Sequence, residues 1–501
     1  RSIAMIHVYS DREVKRIRNF WNNIHFHPTD AAEDHWGRRI LDSVADDKIA
    51  RYVRLYVMTE DIVDSNENGN LIFDFSESDR RLDYMVEKGF DLLLCFAYMP
   101  TCIASDKMLV SDFLRYKGKR INISQPTEYS LWSEVCRRCT EHFIERYGRE
   151  RVERWYFHCW NEPDVEIFWM KGCTDPNERV RQYCALYDAF ADGVRAVSEK
   201  IRIGGPSVAA HMNFLRAFLR HIREKQKETP NMLDFVSIHT YGEKPEEMAK
   251  SNNISPEKTL RICREHRKIV EEEGFHGIEI VVDEWEACAH GFKNENDFPC
   301  LAYRNNEKFS AHFFSLIDCY IRKNADISKM MICLSGQHNL KREFEGYRNF
   351  FTMSGFKKPI YNAYAAAAML GNILLECDNE DNVGIIPTKD DDSNVAVALY
   401  YTDSRLFRIL PNKPVHLRIM LGKGAYSAEH YRIDRDNSNA YTEWCRCGKP
   451  ENPNGDQRER IYTAGDLKPW YIDNTIYTDV FEQDILMTPD SVSLIRLTQI
   501  R

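Results

Sequence analysis

Along the first 370 residues, short apolar runs of β-prone residues alternate with stretches whose apolar positions recur every three or four residues. The short runs predict strands at 24–26, 50–56, 91–98, 154–160, 201–205, 235–239, 278–284 and 330–334. The periodic stretches predict helices over 127–147, 177–200, 214–228, 256–273 and 306–323. In "SPEKTLRICREHRKIVEEEGF", Ser255 is placed to cap a helix, Pro256 to start it and Gly274 to stop it. Eight strand–helix units at this spacing predict an α/β fold: an eight-stranded parallel (β/α)8 TIM barrel over residues 12–372.

After residue 375 the pattern changes. "NVAVALYY", "PVHLRIMLG", "AEHYRID" and "SVSLIRLTQI" alternate or run apolar between turn residues, with no helical period between them. They predict an accessory antiparallel β-sandwich over 373–501, to which "IAMIHVY" in residues 1–11 adds a strand. Residues 445–475, polar and rich in Gly, Pro and Asn, read as a long loop.

Composition narrows the function. At 501 residues the chain exceeds one ordinary core, and 43% hydrophobic with 29% charged residues is a soluble globular balance. A net charge of −9 leaves no basic excess for phosphates, so no nucleic-acid partner is expected. The longest apolar run, 363–375, is too short for a bilayer core of about 30 Å, so no membrane partner is expected either. The 15 cysteines are scattered and read as free thiols; the pairs Cys136–Cys139 and Cys445–Cys447 are read as structural rather than metal-binding. No G-x-G-x-x-G, phosphate loop or G-x-S-x-G motif occurs, and neither cofactor nor metal is expected. The chain starts on Arg1 rather than methionine, so the expectation is a soluble protein whose native N-terminus is missing and whose compartment, cytoplasmic, periplasmic or secreted, stays open. The oligomeric state also stays open, a homo-oligomer included.

Chemistry enters where predicted strands meet loops, the C-terminal face on which barrel active sites lie. The fourth strand, in "WYFHCWNEPD", ends on Asn161-Glu162-Pro163, and the seventh, in "IEIVVDEWE", ends on Asp283, Glu284 and Glu286. Asn-Glu-Pro alone reads as turn chemistry; a second acid across the same mouth turns it into the carboxylate pair of a glycoside hydrolase. A retaining mechanism needs a nucleophile and a proton donor roughly 5–5.5 Å apart. Glu162, behind the aromatic Trp160, is the expected donor, and Asn161 the expected partner of the sugar 2-hydroxyl. Strict alternation places Glu284 and Glu286 on one face, with Asp283 and Trp285 on the other, and Glu284 is favoured as nucleophile.

These residues resemble glycoside hydrolase family 39, which includes β-xylosidases and α-L-iduronidases. The resemblance rests on Trp160-Asn161-Glu162-Pro163, Phe168-Trp169, "YDAFADGVRAV" from Tyr187, "RIGGPSVA" from Arg202, "HFIERYG" from His142, "RYVRLY" from Arg51, "CFAYMP" from Cys95 and "DFVSIHTY" from Asp234. It implies that Glu162 is the acid/base and Glu284 the nucleophile. It also implies substrate contacts at His239 and Tyr241, and around Trp160, Arg54 and Phe96 of these segments. Two departures bear on the sugar: Glu284-Trp285-Glu286 stands where the family has Glu-Tyr-Asn, placing Trp285 and Glu286 near the pocket, and "MMICLSG" on the eighth strand lacks an aromatic. Lys357 in "FKKP" is a candidate for a sugar carboxylate, although an exposed loop lysine is the plainer reading. The implied activity is retaining and exo-acting on an oligosaccharide or glycoconjugate, β-xylosidase-like first, with iduronidase-, arabinosidase- or galactosidase-like alternatives.

Two readings of another class remain. His25 and His27 in "IHFHP", with His239, are the parts of a metal-dependent amidohydrolase barrel, though packing or sugar contact is the plainer role for both. A carbohydrate-binding protein without catalysis is the other.

Overall fold

The computed structural model describes residues 2–26, 35–116, 118–334 and 340–500; His27 lies outside them. Eight parallel strands close into a barrel in chain order, the eighth pairing with the first. They are Asn23–Phe26, Tyr52–Tyr56, Asp91–Phe96, Tyr156–Cys159, Arg202–Val208, Phe235–Glu243, Glu279–Cys288 and Lys329–Leu334. Each predicted strand has its counterpart here, because both faces of a barrel strand are buried and the apolar runs are correspondingly dense.

The interior is layered. Tyr52, Leu93, Tyr156, Phe235, Val281 and Met331 form an apolar plug, one residue from each of six strands. Two residues further along the same strands, and so facing the same way, stand Arg54, Cys95, His158, Ser237, Asp283 and Cys333, all buried. A strand period of two thus carries the chain from a sealed bottom to a polar floor, and the C-terminal mouth of the barrel lies one step above it.

Residues outside the barrel form a seven-stranded sheet: the N-terminal strand Ala4–Arg16 joins Ile373–Asn379, Gly384–Lys389, Val395–Tyr401, Ser491–Gln499, Lys413–Ile433 and Pro469–Met487. It is not purely antiparallel, since Ala4–Arg16 runs parallel to the first half of Lys413–Ile433. That strand is 21 residues long; its first half pairs with Ala4–Arg16 and its second with Ser491–Gln499. The sheet therefore curls round a core of its own, with Ile6, Val8, Val397, Leu417, Ile419 and Leu497 buried inside. Lys308, on the barrel helix Glu307–Arg322, ties the two parts by donating to the Asp403 carbonyl at 2.6 Å and pairing with Asp490 at 3.1 Å.

The expected loop at 445–475 is a correction. It holds the end of one helix, Ala440–Arg446, a second, Gly455–Ala464, and the start of Pro469–Met487. Asn454 and Gln457 form a reciprocal capping box that nucleates the second helix, a signal the Gly/Pro/Asn count obscured. Cys136 and Cys139 lie buried on the helix Tyr129–Tyr147. No described helix is long and apolar enough to cross a membrane.

Candidate active site

The Asn-Glu-Pro turn is shaped by its backbone. Trp160 and Glu162 both take positive φ, 68° and 44°, a conformation that costs a non-glycine residue on the order of 1 kcal/mol or more. Strands on either side hold it: the Trp160 N–H donates to the Phe96 carbonyl and the Glu162 N–H to the Ser207 carbonyl, both at 3.0 Å. The twist sends Trp160 out among Tyr98, Trp132 and Trp169, and leaves Asn161 and Glu162 on the cavity. Asp164 locks the following loop by accepting from the backbone N–H groups of Ala209, Ala210 and His211.

Across the mouth, the seventh strand departs from simple alternation. Against the sixth strand, Ile238 pairs with Val282 but His239 with Glu284; against the eighth, Val282 pairs with Met330 and Trp285 with Ile332. One extra residue is accommodated, as in a β-bulge, so two successive side chains turn inward. Asp283 and Glu284 both reach the polar floor, whereas Trp285 stacks on Phe313 and donates to the Tyr364 hydroxyl among the outer helices. This corrects the expectation that Asp283 faces away from Glu284.

Arg54 organises the floor. Fully buried, it donates to Glu284 Oε1 and Asn161 Oδ1 at 2.8 Å each and to His158 Nε2 at 3.1 Å, with Asp283 also 3.1 Å away. Because His158 accepts at Nε2, its proton sits on Nδ1, facing the Ser207 hydroxyl, which in turn donates to Asp283 at 2.7 Å. Burial, then the Arg54 charge, pushes His158 down to about 3, so it stays neutral. Burial opposes ionisation of Asp283, yet Arg54 and His239 hold it well below the usual carboxylate range.

The two catalytic candidates are driven apart. Burial, helped by Glu284, raises Glu162, even though its hydrogen bond from His239 works the other way. Glu284 resists burial because His239, His25, Arg54 and the Tyr241 hydroxyl all favour its anion, and it lies well below the ordinary value. His239 stands between the acids, Nδ1 at 2.8 Å from Glu162 and Nε2 at 3.3 Å from Asp283; despite burial, Glu284 and Asp283 hold it charged. The charges of Arg54 and His239 are matched by those of Asp283 and Glu284. A carboxylate oxygen of Glu162 lies within 4.8 Å of one of Glu284.

The other expected site residues divide. Tyr241 lines the cavity and donates to Glu284. His25 lies beneath it, Nε2 3.5 Å from Glu284 and Nδ1 3.4 Å from Arg54. His239 is buried, with Nδ1 against the Glu162 carboxylate. Phe96 packs outward on Phe157 and Phe190, because its neighbour Cys95 takes the inward position. Lys357 lies 3.6 Å from Asp466, away from the cavity walls. Glu286 is buried in a separate cluster, accepting from Tyr303, from Arg304 at 2.6 Å and facing Arg348 at 3.6 Å.

That cluster gives the first test. Glu286→Gln is expected to cost about 3–5 kcal/mol of stability, because Arg304 loses its buried counter-charge. Activity of the folded fraction should fall by less than about tenfold, since Glu286 does not touch the cavity. A thermal unfolding scan with parallel assays checks both.

Among the described residues, two groups bring three donor residues together, His25 with Glu284 and Cys333, and Glu162 with His239 and Glu284. In both, Glu284 already accepts from Arg54, whose fixed positive charge 2.8 Å away repels a cation. Sequence reasoning turned Asp283 away from the site and missed His158, although both keep the parity of Val281 and Tyr156 in the plug. It also missed Arg348, which lines the cavity and donates to the Tyr241 hydroxyl at 3.3 Å; nothing local to Arg348 signals this.

The family description "Glycosyl hydrolases family 39" matches residues 4–470. A β-xylosidase from Caldicellulosiruptor saccharolyticus is 24% identical over 483 residues, 93% of each chain. The α-L-iduronidase of Homo sapiens is 24% identical over 256 residues, 48% of this chain and 36% of that protein. Among solved structures, a monomeric β-xylosidase from Caulobacter crescentus superposes with a TM-score of 0.81 at 21% identity, over 99% of this chain and 100% of the other.

Proposed function

The chain belongs to glycosyl hydrolases family 39, and from that premise we propose that it is a retaining, exo-acting β-xylosidase that works by double displacement through Glu284 and Glu162. The observation that carries this reading is the pair itself: two carboxylates with an oxygen of each within 4.8 Å, one favoured as the anion and the other shifted toward its protonated form. That spacing suits a covalent intermediate and leaves too little room for the water of an inverting enzyme.

In the first step Glu162 gives its proton to the glycosidic oxygen while Glu284 attacks the anomeric carbon, and an ester forms as the leaving alcohol departs. In the second step the Glu162 carboxylate takes a proton from water, which attacks the same carbon and releases Glu284. Arg54 and Tyr241 hold one Glu284 oxygen each and aim it. Arg54 also takes Asn161 Oδ1, which turns the amide N–H groups of Asn161 toward the sugar 2-hydroxyl.

β-Xylosidase is favoured over an iduronidase-like activity because Lys357, the candidate partner for a sugar carboxylate, pairs with Asp466 instead, and Arg348 is already engaged by Glu286 and the Cys288 carbonyl. The curled sheet, read as a sandwich-like accessory domain, braces the barrel from the outer helices and contributes nothing to the cavity walls. A panel of nitrophenyl glycosides is the direct test: highest kcat/KM on the β-xyloside supports the assignment, and preference for an iduronide or galactoside refutes it.

The proton preferences fix the pH profile. Glu284 must be ionised and sits below its usual value, so activity falls on the acid side only once Glu284 takes a proton. Glu162 must be protonated and sits above its usual value, so activity falls on the basic side as it loses one. Glu162→Gln should still carry out the first step on dinitrophenyl xylosides, whose leaving groups need no proton, and its residual activity should show no basic limb. It should also slow the second step by about 10²–10⁴-fold. A basic limb that survives the substitution would assign it to another group.

A further inference from the structure

The cavity holding Glu162 and Glu284 continues along side chains that cannot hydrogen-bond. Phe113, Ile167, Phe168, Met212 and Phe292 share its volume of about 770 Å³. Phe113 and Ile167 leave 42% and 40% of their surface in water. Scattered exposed apolar side chains need no explanation, but a cluster rimming a catalytic cavity marks a binding surface.

The cluster is also held in place. Phe113 meets Phe292 edge-to-face, ring centroids 4.6 Å apart and planes at 80°. The Ser111 hydroxyl donates to the Ile167 carbonyl at 2.9 Å while accepting the Phe113 and Leu114 N–H groups at 3.2 and 3.1 Å. On the next residue, Asp112 accepts from Lys171. The strand Val110–Tyr116 is thereby pinned to the loop that follows Glu162, and Phe113 is presented to the cavity by a fixed frame. The other wall is polar: Lys258 donates to Glu243 and lies 3.8 Å from Glu247, and Lys244, Glu265, His266 and His290 line it too.

Building on the glycosidase reading of Glu162 and Glu284, we infer that the leaving-group side of the cleft is built for a flat apolar aglycone, an aromatic or polycyclic alcohol, rather than a second sugar. A pyranose can stack on a ring but needs donors and acceptors at its rim. Against Phe113, Ile167 and Phe292 those hydroxyls would lose water without gaining partners. An aryl group gives up nothing polar and buries its area on the phenyl rings.

The test has one arm that does not depend on the sugar. Calorimetric titration of the intact protein with 2-naphthol is expected to show binding that weakens about tenfold in Phe113→Ala and in Phe292→Ala. In the second arm, kcat/KM for 2-naphthyl β-xyloside should fall about tenfold in the same variants, while that for xylobiose changes less than about twofold. Phe113 is exposed, so its variant reports on binding rather than folding. Naphthol that fails to bind, binding indifferent to both substitutions, or equal losses on both substrates would each overturn the aglycone assignment. If no xyloside is cleaved while naphthol binding still depends on Phe113, the sugar assignment falls and the aglycone assignment stands.

Discussion

Glu284→Ala is expected to lower kcat by at least about 10⁴-fold on every glycoside, including those with activated leaving groups, because no other group can form the covalent intermediate. The described surroundings leave no substitute. Asp283 is committed to Arg54, Ser207 and His239 on the barrel floor. Glu286, two residues on, is turned into its cluster with Tyr303 and Arg304. Azide should fit the space left by the carboxylate, restore part of the rate, and yield a glycosyl azide of the opposite anomeric configuration. Kinetics with and without azide, and the configuration of the azide product, check the prediction. A variant that keeps more than about one hundredth of the wild-type rate would move the nucleophile elsewhere.

Arg54 carries the second large effect. Arg54→Ala leaves Asp283 and Glu284 buried without their shared cation, and the expected cost is about 3–5 kcal/mol of folding stability. That loss alone would silence the enzyme, so Arg54→Lys separates the roles. A lysine keeps the charge but cannot span His158, Glu284 and Asn161 with one fork. The fold should persist while kcat/KM drops by about 10²–10³-fold, with Glu284 and Asn161 no longer held in register. The sign of the pH effect follows from linkage: Arg54 stabilises the Glu284 anion, so weakening the contact raises that pKa. The acid limb should therefore move to higher pH in Arg54→Lys. An unshifted acid limb with full activity would make Arg54 a packing residue only.

Much of this was legible in the chain because a parallel barrel writes itself as repeated apolar runs, and because barrel chemistry collects where strands end. The ends of the fourth and seventh runs alone brought Asn161, Glu162 and Glu284 forward. What escaped was local geometry with no compositional trace. The bulge that turns Asp283 and Glu284 inward together depends on pairing with both neighbouring strands, and alternation along one strand cannot reveal it. Phe96 and Trp285 were drawn toward the pocket by their neighbours in sequence, yet each sits one pleat out of phase with an inward residue, Cys95 or Glu284. The position of His239, buried between Glu162 and Asp283, also leaves no trace in the sequence. The helices within 440–464 are hidden because Asn439, Asn454 and Gly465 serve as caps rather than as loop.

The most direct test of the central claim is to inactivate the protein with a 2-deoxy-2-fluoro-β-xyloside bearing a dinitrophenyl leaving group, digest it and locate the modified residue by mass spectrometry. The fluorine slows both steps and the dinitrophenyl leaving group restores only the first, so the glycosyl ester accumulates. The account predicts a single fluoroxylosyl adduct on Glu284, reversed when the intact protein is left to turn over. An adduct on Glu286 or Glu162, or turnover of the parent xyloside to the inverted sugar with no adduct at all, would contradict it.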